Sequence, residues 1–226
     1  MKSLFLMLIY TIFIFSDTYV SGNIIFNSSN VGEKGSGMLI NKTVIPKKMF
    51  NKINIDIASD IIINKSSKNR ITIRTDDNLI DKVLVYVKDS TLFIKANGNF
   101  NPSKGLLITI NSKLLNELDI YGASDITVRD YQLNSLSLNI DGASDILFNS
   151  NKINRLNITA DGSYDINLLK SVVESAYIKA DGSGSIDINI EKYMDISVSG
   201  TVEVKYIGNP KIKKNIDGVA ELIKIR

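Results

Sequence analysis

Gly122-Ala123-Ser124-Asp125-Ile126 recurs as Gly142-Ala143-Ser144-Asp145-Ile146, then as Gly162-Ser163-Tyr164-Asp165-Ile166 and Gly182-Ser183-Gly184-Ser185-Ile186. Looser copies follow at Gly200-Thr201-Val202-Glu203-Val204 and Gly218-Val219-Ala220-Glu221-Leu222. The six glycines are spaced by 20, 20, 20, 18 and 18 residues. An earlier relative, Ile57-Ala58-Ser59-Asp60-Ile61, carries Ile at the glycine position. A fixed period of this length is the mark of a repeat architecture, in which one short unit cannot bury its apolar side alone.

The flanks define the unit. Two and four residues before each of the first five glycines stand Leu118/Ile120, Leu138/Ile140, Ile158/Ala160, Ile178/Ala180 and Ile196/Val198. Four and six residues after stand Ile126/Val128, Ile146/Phe148, Ile166/Leu168, Ile186/Ile188 and Val204/Tyr206. The residues between are mostly polar. This is period-two alternation, the pattern of a half-buried strand, on both sides of a glycine. Leu133, Ile153 and Val173 add a third apolar position between copies. Strands of five residues at an 18–20-residue period predict an all-β chain, a single-stranded right-handed parallel β-helix. Each strand then pairs with its equivalent about 4.8 Å away. Gly122, Gly142, Gly162, Gly182, Gly200 and Gly218 would stack at one bend, with Asp125, Asp145 and Asp165 beside them as a structural turn ladder. No Pro lies between Pro102 and Pro210, as doubly paired strands require.

Outside the repeat the pattern loosens. Before Leu118, alternating runs are separated by turn-like stretches such as residues 65–69 and 97–103, and predict strands that cover the open end of the stack. Residues 23–43 read as a flexible linker, rich in Ser, Asn and Gly over 27–37. The repeat domain is expected over 44–226. Lys2 followed by an apolar run over 4–15, broken only by Thr11, reads as a signal peptide ending near Gly22. That predicts export to the periplasm, the cell surface or the medium. A run of this length is too short to span a bilayer, so no transmembrane helix is expected in the mature chain.

Composition excludes several chemistries. The 226 residues contain no Cys, no His and no Trp. Thiol nucleophiles, disulfides, cysteine-held metals, a lipidated cysteine and histidine bases are therefore absent. The net charge of +3 is too mild to predict nucleic-acid binding, and the surplus sits in the Lys-rich stretch after Lys205. Stacked like charges at Asp125, Asp145 and Asp165 could in principle hold Ca²⁺, but turn hydrogen bonds explain them, and Ser185 breaks the series. No metal, cofactor or catalytic residue is expected. Tyr121 and Tyr164 fall at the bends and are the candidate exposed binding residues.

The strand, Gly-Ser/Ala-x-Asp-Ile corner and strand pattern at residues 122–126, 142–146 and 162–166 resembles the bacterial autotransporter adhesin head family, also called GIN domains. Gly182, Gly200 and Gly218 match more loosely. The resemblance implies a β-helical fold, an envelope or extracellular location and no established catalytic residues. The expected function is a non-catalytic binding or structural module for a surface glycan or protein, with self-association by edge or face stacking. A polysaccharide-acting enzyme using carboxylates and a purely scaffolding envelope protein are the alternatives.

Overall fold

The computed structural model describes residues 32–225. The segment expected to be a signal peptide, residues 1–22, lies outside the described residues. The first strands are β1 (Glu33–Lys34), β2 (Leu39–Val44), β3 (Lys52–Asp56), β4 (Ser59–Lys65) and β5 (Arg70–Asp76). After a 3-10 turn at Ile80–Lys82 come β6 (Val83–Lys88), β7 (Thr91–Ala96), β8 (Phe100–Asn101) and β9 (Leu107–Ser112). The repeat region forms β10 (Glu117–Arg129), β11 (Gln132–Ala180), β12 (Ser183–Val198), β13 (Thr201–Ile207), β14 (Lys211–Ile216) and β15 (Val219–Lys224). β10, β11 and β12 run through bends without losing their ladder, so each contains more than one straight segment.

The fold is all-β, built on one large mixed sheet with a two-stranded parallel sheet, β1 with β8, beside it. In the repeat region the strands pair in parallel and, apart from register shifts between Leu168 and Ser175 where β11 meets β12, in the register that the motif spacing predicts. Leu118 faces Leu138, Gly122 faces Gly142, Asp125 faces Asp145 and Ile126 faces Ile146. β3 and β4 pair with the two halves of β10, placing Asp60 opposite Asp125. β12 continues this against β13 and β14, and β13 against β15.

The sheet is mixed because the N-terminal part folds back on itself. β2–β5, β5–β9 and β6–β7 are antiparallel. The connections explain this. Asp89 and Ser90, both at positive φ, form the two-residue turn between β6 and β7, and such a turn joins only antiparallel neighbours. Residues 66–69 are likewise too short for a parallel crossover between β4 and β5.

The core is a set of stacked aliphatic columns. Ile53, Leu92, Leu118, Leu138, Ile158, Ile178 and Ile196 are all fully or almost fully buried, as are Ile61, Ile108, Ile126, Ile146, Ile166, Ile186 and Val204 on the strands after the bend. β-branched residues dominate because they fill a pleated, buried surface with little loss of rotamer freedom.

The stretch expected as a flexible linker carries β1 and most of β2 in its described half. Asp76 is the reason. Its buried carboxylate accepts hydrogen bonds from the Gly37 N–H at 2.7 Å, the Ser103 N–H at 2.8 Å and the Ser103 hydroxyl. The Ser103 hydroxyl, with these backbone donors, holds that carboxyl below the usual aspartate range. Asn78 adds bonds to the Ser36 N–H and to the Lys34 carbonyl. A glycine-rich segment thus becomes ordered because it supplies N–H donors to a carboxylate that burial would otherwise leave unpaired.

Candidate functional site

The bend at the glycines sets the geometry of the surface around it. Gly162 has φ +96°, and a Cβ there would lie 2.2 Å from the Gly142 carbonyl oxygen. Gly142 and Gly182 stand in the same relation to Gly122 and Gly162. Gly200 and Gly218 lack the positive φ but still press on the carbonyl of the preceding glycine. Repeats this close bring their flanking side chains into files.

Asp60, Asp125 and Asp145 lie opposite one another in register, and Asp165 pairs with Ser185, then Glu203 and Glu221. Desolvation raises the Asp145 carboxyl above its ordinary value, and the neighbouring Asp165 and Asp125 charges push it further in the same direction. Two local contacts offset this repulsion. The Ser185 hydroxyl donates to Asp165 at 2.6 Å, and Lys205 pairs with Glu203. Ser185, which interrupts the acidic series in the sequence, therefore acts as a neutral donor within it.

An open groove of about 590 Å³ runs beside this file. Ile62, Leu107, Thr127, Leu147 and Asn167 line it together with Asp60, Asp125, Asp145 and Asp165. The carboxylates come from a single file and do not face one another across the groove. On the other flank of the bend, Tyr121 faces Asp56 and Asp141 in register and is exposed at 42%.

Tyr164 corrects the expectation of an exposed residue. It is 3% exposed. It occupies the repeat position of Ser124 and Ser144, which are also buried, so strand parity turns it inward. The ring fits because the next repeat has Gly184 there, whose Cβ would fall 2.5 Å from the Tyr164 ring. The Tyr164 hydroxyl has no hydrogen-bond partner among the described residues, and burial, aided by the Asp181 and Asp161 charges, pushes it up to about 12. Tyr121 and Tyr164 therefore do not form one patch.

The opposite ends of the same strands hold a buried polar cluster that the sequence does not announce. Asn151 accepts the Tyr131 N–H at 2.9 Å and donates to the Val128 carbonyl at 2.9 Å. Its own N–H donates to Ser171 at 3.0 Å. Tyr131, fully buried, bonds Ser112 at 2.6 Å, and burial pushes its phenol up to about 12. Tyr131, Asn151 and Ser171 share one repeat position 20 residues apart, a signal hidden by their different side chains. On the outer face, Arg155 stacks 4.2 Å from the Tyr177 ring centroid, and Tyr177 meets Tyr193 at 5.8 Å.

The site is thus an all-β repeat surface with side chains filed in register beside an open groove. Comparison with known proteins gives the family of this fold. The model of the family described as "putative auto-transporter adhesin, head GIN domain" matches residues 49–210, and the chain belongs to that family. A crystal structure of a "putative adhesin" from Bacteroides fragilis is 24% identical, with a TM-score of 0.71, spanning 86% of this chain and all of that one. A "putative adhesin" from Parabacteroides merdae is 20% identical, with a TM-score of 0.60, spanning 87% of this chain and all of that one. A "putative lipid binding protein" from Parabacteroides distasonis is 20% identical, with a TM-score of 0.59, spanning 85% and 99%. At these identities the likeness concerns the fold alone. No curated protein matches the chain. Among the described residues no helix is long and apolar enough to cross a membrane.

Proposed function

We propose that this protein is a non-catalytic, exported, adhesin-like binding module. In this reading its parallel region winds as a right-handed β-helix within a domain spanning residues 44–226. The groove beside the aspartate file receives an extended surface polymer, a glycan or a protein segment. The observation that carries the reading is the in-register file of Asp60, Asp125, Asp145 and Asp165 along an open groove. Carboxylates repeating at the sheet spacing of about 4.8 Å offer a row of acceptors to the hydroxyl or amide donors of a chain-like ligand. Glycosidic bond cleavage needs an acid and a second carboxylate on opposite sides of the scissile bond. A single file on one bank of an open groove provides no such pair. Export is supported by the basic residue and apolar run within residues 2–15 and by family membership.

The test is a panel of immobilised bacterial surface polysaccharides and proteins, probed with the parent chain and with the double variant T127K/L147K. Both positions are half-buried on the outer face, so the core is untouched. The reading expects at least one polymer retained by the parent, released by the variant and recovered without cleavage. Retention unchanged in the variant, or no retention by the parent, would sink it.

A further inference from the structure

Three connections gather at the strand ends remote from the glycine bend, residues 45–51, 66–69 and 113–116. They are tied together. The Lys113 N–H donates to the Asn69 side chain at 3.0 Å, the Asn116 N–H donates to the Asn51 carbonyl at 2.7 Å, and the Asn69 amide lies 3.9 Å from the Met49 sulfur. These three connections contain no Asp or Glu and carry Lys47, Lys48, Lys68 and Lys113, while the adjoining β6–β7 turn, whose Ser90 carbonyl accepts the Asn51 N–H, adds Lys88 and one acid, Asp89. All four lysines of the three connections are exposed, and none makes an ion pair among the described residues.

The same connections expose large aliphatic side chains, Ile45 at 65%, Met49 at 55% and Leu114 at 49%. Between residues 44–48 and β6 lies a hollow of about 270 Å³, walled by Val44, Pro46, Val85, Val87 and Leu92, with Tyr86, Lys47 and Lys48 also lining it. Apolar tips ringed by unpaired lysines are the arrangement of a surface that settles at a bilayer interface. The tips leave water, while the lysine stems lie along the apolar surface and the ammonium groups reach the phosphates. One exposed aromatic, Tyr86, flanks the hollow and is stacked on Phe93 at 5.1 Å, while the exposed tips of the connections themselves are Ile, Met and Leu.

We propose that this end of the molecule docks on an anionic lipid bilayer through residues 45–49 and 113–114. The site is separate from the groove and does not depend on the reading given to it. The acidic bend lies at the far ends of the same strands, roughly 20 Å away at the rise of a strand, where an anionic surface would not repel it.

Co-sedimentation of the full chain with phosphatidylcholine vesicles, with and without phosphatidylglycerol, tests the proposal. Thermal unfolding monitored on each variant confirms that the exposed substitutions leave the fold intact. Binding should require phosphatidylglycerol and weaken with salt. K47Q/K48Q should weaken it about 30-fold, from about fivefold for each lysine removed. I45S/M49S should weaken it about tenfold at unchanged charge. The proposal is overturned if both vesicle types bind equally or if either variant binds as the parent does, as it would were residues 1–31 the anchor. Equal capture by soluble dextran sulfate, insensitive to I45S/M49S, would also overturn it, because the site would then read anionic polymers.

Discussion

Gly162 meets two demands at once, a positive φ and the Gly142 carbonyl where a Cβ would sit, whereas Gly122 meets only the first, since nothing lies within 4 Å of its added Cβ. G122A should therefore cost about 1–2 kcal/mol from backbone strain, and G162A about 3 kcal/mol or more, because the neighbouring backbone must also move. Chemical denaturation of the two variants checks the order; equal costs would mean that the glycines do not press on one another. The two buried tyrosines make a second contrast. Y164F removes a hydroxyl with no partner and should leave stability unchanged or raised, while Y131F strips a partner from Ser112 and should cost about 1–2 kcal/mol. Both phenols are raised in the folded chain, so the folded state keeps protons that the unfolded state loses. Stability should accordingly fall as pH rises from 10 towards 12, visible in thermal unfolding followed across that range. The glycine positions are legible in the sequence because they recur with one residue type. The inward turn of Tyr164 is hidden because the serines at its repeat position read as surface, and only the pairing with Gly184 makes room for the ring.

At the scale of strands, the aspartate file has a cost. Carboxylates directly opposite on adjacent strands repel, typically by about 0.2–1 kcal/mol. D145N should raise the melting temperature, by less at high salt where the charges are screened. The Asp145 carboxyl is raised in the folded chain, so acidification relieves the repulsion and the advantage of D145N should shrink as pH falls towards 4. An advantage constant from pH 7 to 4 would place its origin elsewhere. The repeat strands and their register could be read directly, because a 20-residue spacing of a five-residue motif fixes both. The antiparallel strands before residue 107 could not. Their alternation is the same as that of parallel strands, and the direction of each is decided by short turns such as Asp89–Ser90. The ordering of residues 33–44 was equally hidden, because it rests on Asp76, whose partners lie 27 and 39 residues away.

Across the whole molecule, charge is used to finish the sheet. Lys214 and Lys224 stand in the apolar columns of Ile196 and Tyr206 at the last strands, β14 and β15, and both are exposed. Inward-pointing charge on an edge strand discourages another strand from adding. K214I/K224I should therefore sediment as larger species at concentrations where the parent does not; unchanged sedimentation would show that the lysines do not guard the edge. The acidic groove beside the bend and the basic, apolar connections at the far strand ends give the molecule two chemically distinct surfaces. The first of these is the proposed binding surface. Side-chain radical footprinting of the chain, free and bound to a polymer retained from the surface panel, tests that role. Binding along the groove should protect Ile62, Leu107 and Leu147 and leave Tyr121 as reactive as in the free chain. Protection centred on Tyr121, or none along the groove, would contradict it.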